Sequence, residues 1–181
     1  MTIAEIKLWG KAIGAVSWDD NTQLANFEYE PAFVGSGIKV SPTMMPLDGR
    51  KYNFPALPRQ TFHSLPGLLA DSLPDDFGNA LINAWLAKEG RTRSSFNPVD
   101  RLCYTGSRGV EALEYVPTQG PASRKSEPID VGALVKLASE ILTKHNELQG
   151  SFAPLDREDA LTDILQVGTS AGGARAKAVI S

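Results

Sequence analysis

The sequence predicts an α+β fold: a small antiparallel β-rich N-terminal subdomain with helices, then a helical segment and a glycine-rich loop that leads into a strand. Three observations predict it. Short apolar segments separated by turn residues occupy residues 3–40, apolar residues at helical spacing dominate residues 65–90, and residues 167–181 combine glycines with an apolar ending. The 181 residues are 42% hydrophobic and 22% charged, which is typical of a globular chain that buries a core.

Residues 3–40 are predicted to form an antiparallel meander. The segments IKLWG and AIGAVSW are short and apolar, with breaks expected at Gly10 and Gly14, and LANFEYE alternates as a half-buried strand does. The acidic turn that begins at Asp19 separates the last two segments, and PAFVGSGIKV is expected to continue the sheet. Residues 41–60 are expected to be irregular, because proline fixes φ and removes a backbone donor, and four prolines occur there: Pro42, Pro46, Pro55 and Pro58.

Residues 65–90 are predicted to be helical. Leucines and aromatic residues recur there at helical spacing. Pro66 stands where a helix tolerates proline in its first turn. Asp75 or Asp76 is placed to cap a second helix, and Gly90 is placed to end it. We therefore expect two consecutive helices, of which the second is the longer.

Residues 97–117 predict a short helix, with Asn97 as its cap and Pro98 in its first turn, followed by the alternating strand VEALEYVP. The segment PTQGPASRKSEP that follows is rich in Pro, Ser, Gly and charge, as linkers are. The predicted organisation is therefore a β-rich subdomain with helices over residues 1–117, a linker over 118–128, and the start of a second region over 129–181. Two helices are predicted in that region before its glycine-rich loop, the second capped by Asp156.

The stretch VGTSAGGARAKAVIS, residues 167–181, is a candidate anion site. Gly172 and Gly173 leave backbone N–H groups without a side-chain wall, so the backbone can approach a phosphate closely. Arg175 and Lys177 alternate, so both would lie on one side of the strand that follows. This combination suits the phosphates of a nucleotide.

The standard phosphate-binding patterns do not match this loop. In the Walker pattern a lysine would stand where Ala174 follows the second glycine, and the dinucleotide pattern is broken at Ser170. The loop also runs from a predicted helix into a strand, the reverse of both patterns. From the residues alone, a glycine-rich turn without a ligand is an equally good explanation.

Charge and composition exclude several classes of protein. The net charge of −3 provides no overall basic surface for nucleic acid or an anionic membrane. The one cysteine, Cys103, has no partner for an internal disulfide and no zinc-ligand neighbours, so a buried apolar role is expected. The start of the chain lacks the pattern of a signal peptide, and no apolar run is long enough to span a bilayer. A cytoplasmic location is expected.

Other polar and aromatic residues have structural explanations. His63 and Ser64 are neighbours, and the side chains of neighbours on an extended chain point apart, which disfavours a catalytic pair. Structural roles are expected for the remaining candidates: a solvated helix face for His145, helix caps or solvated faces for Asp71, Asp75 and Asp76, and core or interface packing for Trp9, Trp18 and Trp85.

Three segments together resemble the HipA-like toxin kinases of bacterial type II toxin–antitoxin systems. They are LPGLLADSLPDDFGNALINAWL (65–86), NPVDRLCYTGSRGVEALEYVP (97–117) and VGTSAGGARAKAVI (167–180). The resemblance covers most of the chain and implies the N-terminal lobe of a serine/threonine protein kinase that uses ATP and Mg²⁺. It also implies a protein substrate, an aminoacyl-tRNA synthetase in the best-known members, and a helix-turn-helix antitoxin partner that binds DNA, so that contact with DNA is indirect.

The resemblance also implies roles for loop residues. The residues that match the ATP-phosphate loop are Gly172, Gly173, Ala174, Arg175, Ala176 and Lys177, and Ser170 matches the serine that the family autophosphorylates. A phosphate on Ser170 would place about two negative charges where ATP phosphates belong, and should switch the kinase off. The loop departs from the family pattern at Arg175 and Ala176, where the best-known member has Gln and Glu.

The catalytic and metal-binding carboxylates of this family lie beyond the part of the kinase that the chain resembles. No catalytic or metal-binding residue is therefore expected within the 181 residues, and the chain alone is expected neither to catalyse nor to bind a cofactor tightly. The alternative is a free-standing binding module, a split subdomain that restrains a separate kinase. A soluble α+β domain with an incidental glycine turn is the third hypothesis.

Overall fold

A five-stranded antiparallel sheet dominates the computed structural model, which describes residues 1–107 and 112–120. The strand order is β4-β3-β2-β1-β5, so the first three strands form the predicted meander and the last strand returns to pair with the first. The strands are β1 (Ile3–Leu8), β2 (Lys11–Asp19), β3 (Leu24–Tyr29), β4 (Lys51–Tyr52) and β5 (Leu113–Val116). The α+β class and the strand within residues 110–117 are confirmed.

Helices occupy the connections between the strands. They are α1 (Pro31–Val34), α2 (Arg59–Phe62), α3 (Gly67–Ala70), α4 (Asp76–Lys88) and α5 (Pro98–Thr105), with a short 3₁₀ turn at Arg93–Ser95. The prediction that residues 31–40 continue the sheet is wrong. Pro31 instead starts a single helical turn, because its fixed φ suits the first position of a helix and it offers no N–H to a strand partner.

The described chain divides into two compact units. Met1–Leu73 and Phe96–Gln119 form the first, and Pro74–Ser95 belong to the second. Within the second unit, the carboxylate of Asp75 caps α4 by accepting the N–H of Gly78 at 2.8 Å. Gly90 adopts φ 68° just after the helix. Both roles were predicted, and both are local to the helix ends. The linker predicted over residues 118–128 lies mostly outside the described residues.

The core of the first unit lies on one face of the sheet. Alternate residues of β1, namely Ala4, Ile6 and Leu8, point to this face and are buried. Helix α5 contributes to the same cluster of buried side chains through three residues that are not exposed at all: Val99, Leu102 and Cys103. The alternation that predicted the strands thus separates a buried face from a solvent-facing one.

A β-bulge in β2 changes which residues face the core. Ile6 pairs with Gly14 whereas Lys7 pairs with Ala12, so Ile13 is an extra residue on β2. Both Ile13 and Gly14 are buried as a result. The predicted interruption of the strand at Gly14 is wrong, because β2 continues through Gly14 to Asp19. Glycine is needed there for another reason: a Cβ would lie 2.4 Å from the carbonyl oxygen of Glu28.

On each side of the sheet, one backbone hydrogen bond joins a strand to a connecting segment of the same unit. On β5, the N–H of Tyr115 donates to the carbonyl of Gly106, just after α5, at 3.2 Å. On β3, beyond the two-residue β4, the N–H of Ala25 donates to the carbonyl of Ser64 at 3.0 Å. These bonds occupy edge groups that could otherwise pair with another strand.

Candidate functional site

The predicted nucleotide loop lies outside the described residues. Gly172 to Lys177 and the modification candidate Ser170 have no described geometry, so their assignment stays a prediction. The same holds for His145. The polar groups that the structure does place together lie in the first unit, in two clusters: one at the N-terminus of α5 and one beside β4.

The first cluster, the Thr2–Asn97–Asp100 junction, connects the start of the chain to α5. Asp100 accepts the Thr2 hydroxyl at 2.9 Å and the backbone N–H of Asn97 at 2.9 Å. Asn97 caps α5 by accepting the N–H of Asp100 at 3.0 Å, and its amide donates to the Thr2 hydroxyl oxygen at 3.0 Å. The carboxylate is thus held by a reciprocal capping box at the positive end of the helix.

This junction has a structural role, because its carboxylate is buried. Asp100 is 6% exposed and each of its oxygens accepts a hydrogen bond from within the protein, so burial restricts the access of an incoming group. Cys103 lies one turn further along α5 and is fully buried, as predicted. Burial, and secondarily the charge of Asp100, raises the pKa of the Cys103 thiol to about 12. A thiol in that state is neutral and unreactive at physiological pH.

The second cluster, the Tyr29–Tyr52 anchor, ties the proline-containing loop to the sheet. The Tyr29 hydroxyl donates to the Met45 carbonyl at 3.0 Å, and the Tyr52 hydroxyl shares its one proton between the Pro46 carbonyl and Asp48. The Tyr52 hydroxyl also lies 2.7 Å from a carboxylate oxygen of Asp48. Two buried strand residues thereby position residues 45–48, a segment that is not part of any strand.

The electrostatics of the anchor follow from its partial burial. Burial raises the pKa of Tyr29 to about 12, so its hydroxyl keeps its proton and remains a donor. The Tyr52 hydroxyl, and secondarily Arg50, holds the pKa of Asp48 below its usual value. Arg50 closes the cluster by donating its Nε–H to Asp48 at 2.8 Å, with its guanidinium 5.6 Å from the centre of the Tyr52 ring. The anchor therefore holds residues 45–48 against the sheet through these hydrogen bonds.

The remaining candidates have mostly the expected structural roles. His63 and Ser64 both adopt left-handed backbone conformations, with φ of 49° and 62°, so the extended chain expected at these two residues is wrong. Ser64 acts through its carbonyl, which accepts from β3, and His63 is exposed. Asp75 is a helix cap, as predicted. Within residues 1–107 and 112–120, no group of three or more His, Cys, Asp or Glu residues is arranged to hold a metal ion.

The tryptophans differ from one another in their environments. Trp18 is a core residue with 4% exposure, and Trp85 is half-buried. Trp9 is 76% exposed at the tip of the β1–β2 hairpin, so it is not a core residue. Sequence reasoning left a core role and an interface role open. The signal available was its place before Gly10, since a two-residue turn at Trp9–Gly10 directs the tip away from the core.

These features define a small α+β domain in which one sheet face packs on α5, and in which buried polar contacts hold the chain's start and one long loop in place. The family model described as the HipA N-terminal domain matches residues 4–116, which is more than half of the chain, and the chain belongs to that family. The match begins within β1 and ends at the last residue of β5, so it includes residues of all five strands. No curated protein matches the chain. None of the described helices is long and apolar enough to span a membrane.

Proposed function

We propose that this chain is the N-terminal part of a HipA-like serine/threonine kinase toxin. The complete kinase would transfer the γ-phosphate of ATP to a hydroxyl group of a protein substrate, with Mg²⁺ as its metal. The family match over residues 4–116 carries the proposal, and the resemblance of residues 167–180 to the family's nucleotide loop supports it. An aminoacyl-tRNA synthetase is the substrate class that the resemblance suggests.

Within this proposal the two parts of the chain have different tasks. The described sheet unit would support the rest of the kinase and bind partners, since its enclosed polar groups have structural roles. The glycine-rich loop would place backbone N–H groups, Arg175 and Lys177 against the phosphates of ATP. Phosphoryl transfer depends mostly on such positioning and on charge stabilisation, so loss of a loop cation should lower the rate of transfer rather than unfold the protein.

A kinase assay on the full gene product tests the nucleotide loop. We expect Lys177→Ala to lower ATP-dependent phosphate transfer by about 10-fold or more, as the loss of a charged phosphate contact does. Lys39→Ala is the matched control, because Lys39 is an exposed lysine in the sheet unit and its loss should leave transfer unchanged. Equal activity of wild type and Lys177→Ala would contradict the proposed role of the loop in phosphate transfer.

Ser170 is proposed as the self-inactivating position of this loop. Mass spectrometry of the active full gene product after incubation with ATP and Mg²⁺ should find phosphate on Ser170. The Ser170→Ala variant should stay active longer than wild type, whereas Thr169→Val, a change at the neighbouring hydroxyl, should not. Sustained absence of phosphate from Ser170 in an active enzyme would contradict the assignment.

The proposed macromolecular partner is a helix-turn-helix antitoxin, which would connect the chain to DNA indirectly. The second candidate function is a split module that restrains a separate kinase. Reading the DNA downstream of codon 181 distinguishes the two. An in-frame helical domain with catalytic carboxylates supports the kinase, and a stop codon followed by a separate kinase gene supports the split module. Phosphate transfer by the purified 181-residue chain alone would contradict the proposal that its catalytic carboxylates lie elsewhere.

A further inference from the structure

Ile3, Glu5 and Lys7 alternate with the buried residues of β1, so they lie on the solvent-facing side of the sheet. Trp9 follows β1 directly, in the hairpin turn, and we call these four residues the β1 stripe. Ile3 is 52% exposed and Trp9 is 76% exposed, although both are large and apolar. Between them, the side chains of Glu5 and Lys7 are 46% and 31% exposed, with Lys7 Nζ 3.6 Å from the Glu5 carboxylate.

The order of the β1 stripe makes it complementary to itself. Read along the strand it is apolar, acidic, basic, apolar. A second copy laid face to face and antiparallel would set Ile3 against Trp9 of that copy and Glu5 against its Lys7. A two-fold axis at Ile6 repeats both contacts, so the arrangement closes as a dimer.

The residues beside the stripe allow two sheets to approach. On β2 the same face carries small side chains: Ala12 opposite Lys7, Ala15 opposite Glu5 and Ser17 opposite Ile3. On the other side, Val116 of β5 pairs with Glu5 and is 38% exposed. Packed sheets lie about 10 Å apart, a distance that small residues beside a stripe of larger ones can accommodate.

The backbone at Trp9 gives an independent reason to expect contact there. Leu8 pairs with Lys11, so Trp9 and Gly10 form a two-residue hairpin turn, and both have positive φ, 51° and 75°. This is the pattern of a type I′ turn, which favours Asn at its first position. Tryptophan costs free energy in the left-handed region and gains little back when it is 76% exposed. Hairpin stability therefore does not explain the tryptophan.

We propose that two copies of this chain pack their solvent-facing sheet surfaces together as a two-fold dimer, through antiparallel contact of their β1 stripes. The occupant of this surface is a second copy because the stripe's charges match their own reversal. The proposal is independent of the proposed kinase function, since it uses only residues of the sheet unit. Because its ionic contacts are near the surface, the dimer should weaken as salt concentration rises.

The first test compares the 181-residue chain with its Trp9→Asn variant by sedimentation equilibrium. Trp9→Asn installs the residue that the turn prefers, so thermal unfolding should occur at the same or a higher temperature. The dimer dissociation constant should nevertheless rise by about 10-fold or more, because a buried aromatic contact is lost twice per dimer. A chain that stays monomeric at every concentration, or a dimer that Trp9→Asn leaves unchanged, would overturn the proposal.

The second test is a charge swap. It asks whether Glu5 of one copy faces Lys7 of the other. Lys7→Glu sets carboxylates against carboxylates and should weaken the dimer by about 10-fold. The double variant Glu5→Lys with Lys7→Glu restores the alternating order and should dimerise within about 3-fold of wild type. Lys39→Glu carries the same charge change on an exposed loop and should have no effect. A double variant as weak as Lys7→Glu would overturn the proposed pairing.

Discussion

Gly14 is the position at which the sheet tolerates a side chain least. A Cβ on Gly14 would lie 2.4 Å from the Glu28 carbonyl oxygen and 2.9 Å from two atoms of the Phe27 ring. Contacts under 3.0 Å require something to move, and here the nearest atom belongs to the backbone of the paired strand β3. Gly14→Ala should therefore separate β2 from β3 locally or displace the ring of a fully buried phenylalanine.

The magnitude follows from two opposing contributions. Inserting a methyl group into a packed core costs about 1–3 kcal/mol, and the backbone contact at Gly14 places this case at the upper end. Alanine has fewer unfolded conformations than glycine, which returns about 0.4–1 kcal/mol. We expect Gly14→Ala to lower the free energy of unfolding by about 2 kcal/mol, which is a large share of a typical domain's stability.

Substitutions at two other glycines distinguish the effect of steric contact on stability from the effect of backbone conformation. A Cβ at Gly49 meets nothing within 4 Å and its φ is not left-handed, so Gly49→Ala should be neutral or stabilising by about 0.5 kcal/mol. Gly10 is equally open but has φ 75°, so Gly10→Ala should cost about 1 kcal/mol from strain alone. Urea unfolding followed by tryptophan fluorescence measures all three variants. Equal stability of Gly14→Ala and Gly49→Ala would refute the close approach of β2 and β3.

Three further predictions concern the polar clusters and the buried thiol. Asp100→Ala should lower the free energy of unfolding by about 2–4 kcal/mol in urea unfolding, because two donors lose a charged acceptor. Cys103 should react with a thiol reagent about 1,000-fold more slowly in the native protein than in urea, since its pKa is raised to about 12 by burial. The carboxyl carbon of Asp48 should titrate in NMR below the ordinary pKa of 3.8, and Tyr52→Phe should raise that pKa.

Each of these three predictions has its own control or contrary result. Asp71→Ala removes an exposed carboxylate and should change stability by about 0.5 kcal/mol or less. Rapid modification of Cys103 in the folded protein would contradict its burial. The lowered pKa of Asp48 means that the anchor's ionic contribution to stability is present above pH 3.8 and is lost as pH falls through the lower folded-state pKa. An unchanged Asp48 titration in Tyr52→Phe would show that the hydroxyl is not its main partner.

The nucleotide loop illustrates a limit of physical reasoning from sequence. Two glycines and two cations made residues 167–181 a candidate anion site, but a glycine turn without a ligand explained the same residues equally well. Only the resemblance to a family gave Gly172 to Lys177 and Ser170 their roles. The reason is that a loop's conformation, and hence the direction of its N–H groups, is set by the elements on either side of it.

Local features were predictable from the sequence alone, because the residues that cause them are adjacent. The Asn97 cap with Pro98, the Asp75 cap and the turn after Asp19 each depend on side chains within a few positions of the backbone groups they bind. The strands of the meander followed from alternation, which needs only one buried face. These signals were sufficient for the α+β class.

Only the tertiary structure decided which distant residues meet. The pairing of β1 with β5, the contact of Thr2 with Asp100, and the bulge at Ile13 all join or adjust chain segments according to how the core fills. The exposure of Trp9 was decided in the same way, by where the sheet places its hairpin tip. Hydrophobicity specifies that a residue favours burial, but the packing of the whole unit determines whether space exists for it.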